Sequence, residues 1–139
     1  MTLNDAFNIA ANGLSTQRTR METIASNLAN VNSTRTPEGG PYQRRFPIFE
    51  SVPARPAAGP SPGPQTVRVL EIREDDAEPI LRFEPGHPDA DEEGYVAYPN
   101  IDPVIETVDM VSATRSYEAN VTMIKSVRTM LRSALDIIR

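Results

Sequence analysis

The residues best suited to chemistry are one histidine and the acidic turn that follows it. His87 is the only histidine and lies between two prolines in the segment PGHPDADEEG (85–94). The chain has no second histidine or cysteine at metal-ligand spacing, and no serine–carboxylate arrangement around His87 that forms a triad. We therefore expect a structural or exposed histidine. The sequence predicts no enzyme, no catalytic residue and no cofactor.

The acidic turn DADEEG (89–94) matches the pattern of a calcium-binding loop only in part. An EF-hand loop needs oxygen ligands at positions 1, 3 and 5, glycine at 6 and a bidentate glutamate at 12. Counted from Asp89, positions 1, 3 and 6 fit, but position 5 is Glu93 and position 12 is Asn100. We expect at most weak, adventitious cation binding here. A soluble calcium-binding or regulatory coiled-coil module stays open as an alternative, which tight calcium binding would favour.

The composition fits one domain with a modest core. The chain has 139 residues, of which 39% are apolar and 6% aromatic. The absence of cysteine excludes disulfides and thiolate metal sites. The start MTLNDAFNIAANGL has no basic segment before an apolar run, so we expect no Sec-type signal peptide. No apolar run approaches about 18 residues, so the sequence predicts no membrane-spanning segment.

Charge is distributed unevenly along the chain. Residues 71–109 hold 13 of the 19 acidic residues but only two arginines, whereas the rest of the chain is net positive. No strongly basic, aromatic-interleaved face is present, which argues against a nucleic-acid partner. Unlike charges in different regions favour head-to-tail or lateral contacts between subunits. Ordinary solvated charges are the alternative interpretation.

Residues 2–31 are predicted to form an amphipathic helix. Thr2 suits the N-cap, with Asp5 three residues later as a variant of the capping box. Apolar residues recur every seven positions, the pattern of a coiled-coil seam. One row holds Phe7, Leu14, Met21 and Leu28, and the other holds Leu3, Ala10, Gln17, Ile24 and Val31.

The opposite face of this helix is polar but nearly uncharged. A helix that faces water usually carries lysine and glutamate, whereas small uncharged groups cost less to desolvate. We therefore predict that this face is buried against neighbouring subunits, an ordinary weakly polar surface being the alternative. Gly13 is expected to permit the close approach of a neighbour. The predicted subunit-contact residues are Asn8, Asn12, Thr16, Thr19, Thr23 and Asn27.

The middle of the chain is predicted to be a small antiparallel β region. Residues 42–50 suit an edge strand interrupted by Pro47, and residues 66–75 alternate like a half-buried strand. The segments PILRFEP and GYVAYP supply two more short strands. Between the first two strands, residues 53–64 form a Pro-rich loop.

Residues 102–138 are predicted to form a second heptad helix, with Asp102 as N-cap and Pro103 at the first helical position. Two such helices at opposite ends of one chain can pack as a hairpin-like coiled coil, which gives an α+β fold. The predicted domains are a helical one (1–33 plus 102–139) and a β-rich one (34–101). The predicted seam consists of Phe7, Leu14, Met21, Ile24, Leu28, Tyr117, Val121, Ile124, Leu131 and Leu135.

Two terminal segments resemble the bacterial flagellar rod and hook axial proteins. Residues 11–36 resemble the family's N-terminal signature, in which a helix ends in an ANVNT-like turn. Here Asn30, Val31 and Asn32 form that motif, and the serine that follows replaces the usual threonine but keeps the hydroxyl. Residues 112–137, SATRSYEANVTMIKSVRTMLRSALDI, are similar to the family's C-terminal helix.

A third segment resembles one group of proteins within that family. Residues 85–110, with YPN followed by Ile101-Asp102-Pro103, resemble the segment typical of the proximal-rod members of that family. The resemblance implies a coiled-coil domain built from both termini and a structural subunit of the proximal rod. It also implies export through the flagellar type III apparatus without a cleaved signal, and polymerisation in the periplasm.

The partners that the resemblance implies are other rod proteins and the basal-body adaptor at the rod base, in a homo- and hetero-oligomeric helical assembly. Another axial protein of the same family, from a different part of the rod or from the hook region, stays open as an alternative. The short chain and the YPNID run (98–102) argue against a hook-sized protein.

Overall fold

Two long helices at the ends of the chain enclose two β-hairpins, so the predicted α+β class is confirmed. The computed structural model describes residues 2–55 and 63–137; most of the predicted Pro-rich loop lies outside them. The elements are α1 (Leu3–Ala29), β1 (Arg45–Pro53), β2 (Gln65–Glu74), β3 (Ile80–Phe83), β4 (Tyr95–Tyr98) and α2 (Pro103–Ile137).

The start of α1 forms the predicted capping box. The Thr2 hydroxyl accepts a hydrogen bond from the Asp5 N–H at 3.2 Å, and Asp5 Oδ2 accepts one from the Thr2 N–H at 2.7 Å. These bonds satisfy two donors that a helix N-terminus otherwise leaves free. The Thr2 N–H holds the pKa of the buried Asp5 below its ordinary value of 3.8. Arg55 lies 3.7 Å from this carboxylate and ties the far end of the first hairpin to the start of α1.

The first hairpin packs against α1. Strands β1 and β2 pair antiparallel from Arg45↔Glu74 to Pro53↔Gln65, with a bulge between Ile48 and Phe49. Because this sheet has only two strands, Pro47 lies on an edge, where its missing N–H leaves no ladder bond unmade. A bond of 3.2 Å from Asn12 Nδ2 to Thr66 Oγ1 joins α1 to β2.

The second hairpin is a separate two-stranded sheet, so the middle region has two small sheets rather than one. Strands β3 and β4 pair from Ile80↔Tyr98 to Phe83↔Tyr95. The hairpin is tied to the loop after α1, because Asp89 accepts a bond from Thr34 Oγ1 at 2.8 Å and pairs with Arg35 at 3.1 Å.

The two helices pack antiparallel. Asp102 Oδ1 accepts a bond from the Val104 N–H at 2.8 Å, as expected of the N-cap of α2. Going down α1 from its C-terminal end, Arg20 pairs with Asp109 at 2.8 Å and Gly13 meets Asn120, so contacts advance along α2 as they retreat along α1. Helix α2 has 35 residues and α1 has 27. At about 1.5 Å per residue, α2 therefore extends roughly 12 Å past the start of α1.

This difference in length corrects the predicted seam. Ile24 is buried, and Leu14, Met21, Leu28, Tyr117, Val121 and Ile124 are half-buried. Leu131 and Leu135, in contrast, are 46% and 65% exposed, because they lie on the part of α2 that has no α1 beside it. Phe7, near the start of α1, is also exposed in the single chain.

Candidate functional site

A buried polar cluster, which we call the polar joint, links the end of α1, the start of β1 and the first turn of α2. It consists of Asn27, Tyr42, Arg44, Arg45 and Glu106. Asn27 Nδ2 donates to the Arg45 carbonyl at 2.8 Å and to Glu106 Oε2 at 3.0 Å. Asn27 Oδ1 accepts from the Arg45 N–H at 2.9 Å and from the Tyr42 hydroxyl at 3.2 Å. A carboxamide has two donors and two acceptor positions. All four are thus used by Asn27, which is 1% exposed.

Glu106 brings a buried charge into the joint. Its Oε1 accepts a hydrogen bond of 2.7 Å from Arg44 Nε, and a terminal nitrogen of the same guanidinium lies 2.7 Å from this oxygen in an ion pair. Glu106 is 1% exposed and the Arg44 side chain is 28% exposed. A buried charge is tolerated when it is paired and hydrogen-bonded.

The predicted family turn follows α1 directly. Asn30 caps the helix: its N–H bonds to the Ser26 and Asn27 carbonyls, and its Nδ2 donates to the Ser26 carbonyl at 2.9 Å. The Ser33 hydroxyl donates to Asn30 Oδ1 at 3.0 Å, and the Ser33 carbonyl accepts from the Tyr42 N–H at 2.9 Å. A hydroxyl at position 33 therefore closes the turn, and the turn delivers Tyr42 to the polar joint.

Gly13 lies directly against the Asn120 side chain of α2. A Cβ at this position would lie 2.9 Å from both Asn120 Nδ2 and Asn120 Oδ1. Asn120 donates to the Ser116 carbonyl at 3.0 Å. The neighbour expected to approach Gly13 is thus the second helix of the same chain.

The polar face of α1 needs a correction. Three of the six predicted subunit-contact residues, Thr16, Thr23 and Asn27, are buried within the chain itself. Thr16 and Thr23 donate to backbone carbonyls four residues earlier in α1, and Asn27 belongs to the polar joint. The physical reason is that the first hairpin packs on this side of α1. Asn8 and Asn12 are exposed and Thr19 is half-buried, so for these three the contact role stays a prediction.

Two apolar surfaces of α2 remain exposed. The first, the outer stripe, lies at the start of the helix on the side away from α1, and its members are 49–71% exposed. The second, the tip, lies on the last turns, where α2 extends past α1. The outer stripe consists of Val104, Ile105, Val108 and Val111, and the tip of Met130, Leu131 and Leu135.

The acidic turn has protein partners of its own. Asp89 is engaged by Thr34 and Arg35, and Asp91 Oδ1 accepts from the N–H groups of Glu93 and Tyr95 at 3.0 and 2.8 Å. His87 Nδ1 accepts a bond of 3.1 Å from the Asp89 N–H. Within residues 2–55 and 63–137, no group of three acidic or histidine side chains is arranged to hold a metal ion. Over the same residues, no helix is long and apolar enough to cross a membrane.

Comparison with protein families finds matches at both helical ends. Residues 7–35 match the family described as flagella basal body rod protein. Residues 92–137 match the C-terminal family of the flagellar basal body rod FlgEFG proteins. The two matches cover α1 with its terminal turn, and β4 with α2. They define the class as flagellar basal-body rod proteins.

Comparison with curated proteins narrows this class. The chain is 43% identical to the flagellar basal-body rod protein FlgC of Borreliella burgdorferi, over 100% of this chain and 99% of the relative. It is 41% identical to FlgC of Bacillus subtilis over 99% of both, and 40% identical to FlgC of Escherichia coli O6:H1 over 99% and 98%. The chain belongs to the FlgC family of flagellar basal-body rod proteins. A structural role in the proximal rod of the basal body follows from this membership.

The residues that sequence reasoning missed are those of the polar joint. Tyr42, Arg44, Arg45 and Glu106 lay outside the predicted seam and contact face. A local signal did exist for Glu106: it is a charged residue eleven positions before Tyr117 of the predicted seam, and so lies on the same side of α2. That position places its side chain near the α1-facing side of the helix, where a charge needs a partner.

Proposed function

We propose that this subunit polymerises through its terminal helical segments, residues 1–33 and 102–139, while residues 34–101 form a smaller β-rich part beside them. The single observation that carries the proposal is the tip, a heptad surface that continues past the end of its own partner helix. Apolar surface of this kind is stabilised when a neighbouring subunit covers it. The exposed Asn8 and Asn12, with Thr19, supply hydrogen-bonding groups for such a neighbour.

The partners in this proposal are other flagellar rod proteins and the basal-body adaptor at the rod base. The flagellar type III apparatus exports the subunit without a cleaved signal peptide, and assembly takes place on the rod in the periplasm. Contacts between unlike surfaces need not close into a ring and so suit a helical tube. The subunit acts as a structural part of the drive shaft and not as an enzyme, which agrees with its relatives being basal-body rod proteins.

Deletion of the gene, followed by electron microscopy of isolated basal bodies, tests this proposal. We expect membrane rings without rods and complete loss of motility, both restored by the wild-type gene. Restoration by a version with Glu22→Ala, which removes only an exposed ion pair with Arg18, serves as a control for expression. Intact rods in the deletion strain would contradict the proposal.

A further inference from the structure

The second hairpin, β3 with β4, has an apolar outer surface, which we call the aromatic face. It consists of Leu81, Phe83 and Tyr95, which share one side of the sheet because Tyr95 pairs with Phe83 and side chains alternate along a strand. The opposite side is turned inward, since Val96 on it is completely buried. Leu81 and Phe83 are 65% and 64% exposed. The solvated side of an antiparallel sheet normally carries polar residues, so an apolar one indicates a surface that a partner covers.

The two rings of the aromatic face have a defined arrangement. The centroids of Phe83 and Tyr95 are 5.4 Å apart with an angle of 64° between the rings, an edge-to-face contact. The Phe83 ring also lies against Gly94, where a Cβ would come within 2.9 Å of it. Gly94 has a φ of +85°, which glycine adopts readily. Aromatic rings held in this way attract a cation that lies over their faces.

Three carboxylates border the aromatic face. Asp91, Glu92 and Glu93 come directly before Gly94 in the chain, and all three are exposed. Asp91 Oδ1 accepts a bond of 2.8 Å from the Tyr95 N–H, which places this acidic turn beside the rings. Within residues 2–55 and 63–137, none of the three carboxylates forms an ion pair. The aromatic face therefore combines apolar surface with uncompensated negative charge.

The arginines closest to this hairpin are engaged elsewhere. Arg82 belongs to β3 but lies on the opposite side of the sheet, with its guanidinium carbon 4.6 Å from the centre of the Tyr98 ring. Arg35, in the loop after α1, pairs with Asp89 at 3.1 Å. A cation for the aromatic face must therefore come from outside the hairpin and the loop that contacts it.

A different protein suits this role better than a second copy of the chain. The chain has a net charge of −5, and like net charges disfavour association between copies. Apart from Arg82, the exposed cations of the described residues that form no ion pair all lie on α2, whose surface the proposed function assigns to contacts between helices of rod subunits. They are Arg115, Lys125, Arg128 and Arg132.

We propose that the aromatic face binds a protein other than this chain, through a segment in which an arginine or lysine stands beside an apolar residue. The apolar residue packs on Leu81 and Phe83, and its burial supplies the attraction. The cation lies over the rings and receives charge-assisted hydrogen bonds from the carboxylates of residues 91–93. This inference rests on the proposed function, because it takes the surface of α2 to be occupied by other subunits.

Site-specific photo-cross-linking tests the contact in the full-length protein within assembled basal bodies. The photoreactive analogue benzoylphenylalanine replaces Leu81 in cells that also carry the wild-type gene, and cross-linked peptides from isolated basal bodies are identified by mass spectrometry. We expect a peptide of a different protein, with an arginine or lysine within a few residues of the linked position. We expect Glu92→Gln with Glu93→Gln to lower the yield several-fold, while Asp91 is kept because it holds the turn.

The matched control places benzoylphenylalanine at Leu70, which is 55% exposed on the first hairpin. A second reporter at Phe83 guards against misfolding of the Leu81 variant. The inference is overturned if neither reporter gives more cross-linked peptide than Leu70, if the peptide comes from this chain or has no basic residue, or if neutralising Glu92 and Glu93 leaves the yield unchanged. The proposed rod function stands in each of these cases. Intact rods after gene deletion would overturn the rod function itself, so the two failures are distinguishable.

Discussion

The two ends of the helical pair differ in what surrounds their side chains. At the end where α1 stops and α2 begins, polar groups fill the interior and apolar groups form the exposed outer stripe. At the opposite end, α2 continues without a partner and its heptad leucines face outward. The polar joint makes every one of its bonds within the chain, whereas the tip has apolar surface left over. The joint thus serves the fold of the subunit, and we propose that the tip serves assembly.

Among single changes in the polar joint, Glu106→Ala gives the largest expected loss of stability. It removes the partner of a partly buried guanidinium and one acceptor of Asn27, and breaking a buried ion pair typically costs about 3–5 kcal/mol. Urea unfolding followed by circular dichroism measures the change in the free energy of unfolding. The control is Glu22→Ala, which breaks an exposed ion pair with Arg18 and should leave the midpoint unchanged. A Glu106→Ala midpoint equal to that of wild type would show that the joint does not hold this end.

Asn27→Ala should have the next largest effect. It deletes four hydrogen bonds and leaves the Arg45 backbone groups without partners, which typically costs about 1–3 kcal/mol for each unsatisfied group, offset by local relaxation. We expect a loss of about 2–3 kcal/mol in total, measured by thermal and urea unfolding. Asn8→Ala, on the exposed part of the same helix, is the control and should unfold like wild type. Equal stability of the two variants would contradict the joint's role.

Gly13→Ala tests the contact between α1 and α2 midway between the two ends of the helical pair. Alanine stabilises a helix by about 1 kcal/mol relative to glycine, but its Cβ displaces the Asn120 side chain. In an Asn120→Ala background this side chain is absent, so we expect Gly13→Ala to raise the free energy of unfolding. In the wild-type background we expect Gly13→Ala to raise the free energy of unfolding by less, or to lower it. A double-mutant cycle of unfolding free energies measures the difference. Full additivity would mean that the two residues do not meet.

The capping box at the tip end gives the smallest effect. The folded-state pKa of Asp5 is depressed, so its contribution is present above the ordinary value of 3.8 and is lost as pH falls below 3.8 through the lower folded value. We expect the helicity of wild type to decline below about pH 4 more than that of Asp5→Asn. Circular dichroism from pH 6 to pH 2 makes the comparison, with Glu22→Gln as a control. Identical curves for wild type and Asp5→Asn would contradict this role.

The helices could be predicted from sequence because their signals are local. The residues that begin each helix are close in sequence, Thr2 with Asp5 and Asp102 with Pro103. The apolar residues that repeat every seven positions also lie within a single helix. The strands followed from short apolar runs between proline and glycine, but periodicity did not say which strands share a sheet. The length of the overhang also escaped prediction, because it depends on where two distant helices come into register.

The polar joint could not be predicted because its bonds are between residues far apart in sequence. Asn27 bonds to groups 18 and 79 residues away, and its uncharged side chain on an outward-looking face suggested a subunit contact. The periodicity of α1 carries no information about the hairpin that covers this face. For the same reason Thr16 and Thr23 were predicted to contact neighbouring subunits, whereas both are buried inside the chain.

The central claim is that the tip serves assembly while the interior of the seam serves the fold. Leu131→Asp, compared with Ile24→Asp, tests it most directly. We predict that purified Leu131→Asp unfolds at the wild-type urea midpoint yet leaves a deletion strain non-motile and without rods, whereas Ile24→Asp fails to fold. Motile cells carrying Leu131→Asp, or a Leu131→Asp protein that unfolds as readily as Ile24→Asp, would contradict the account.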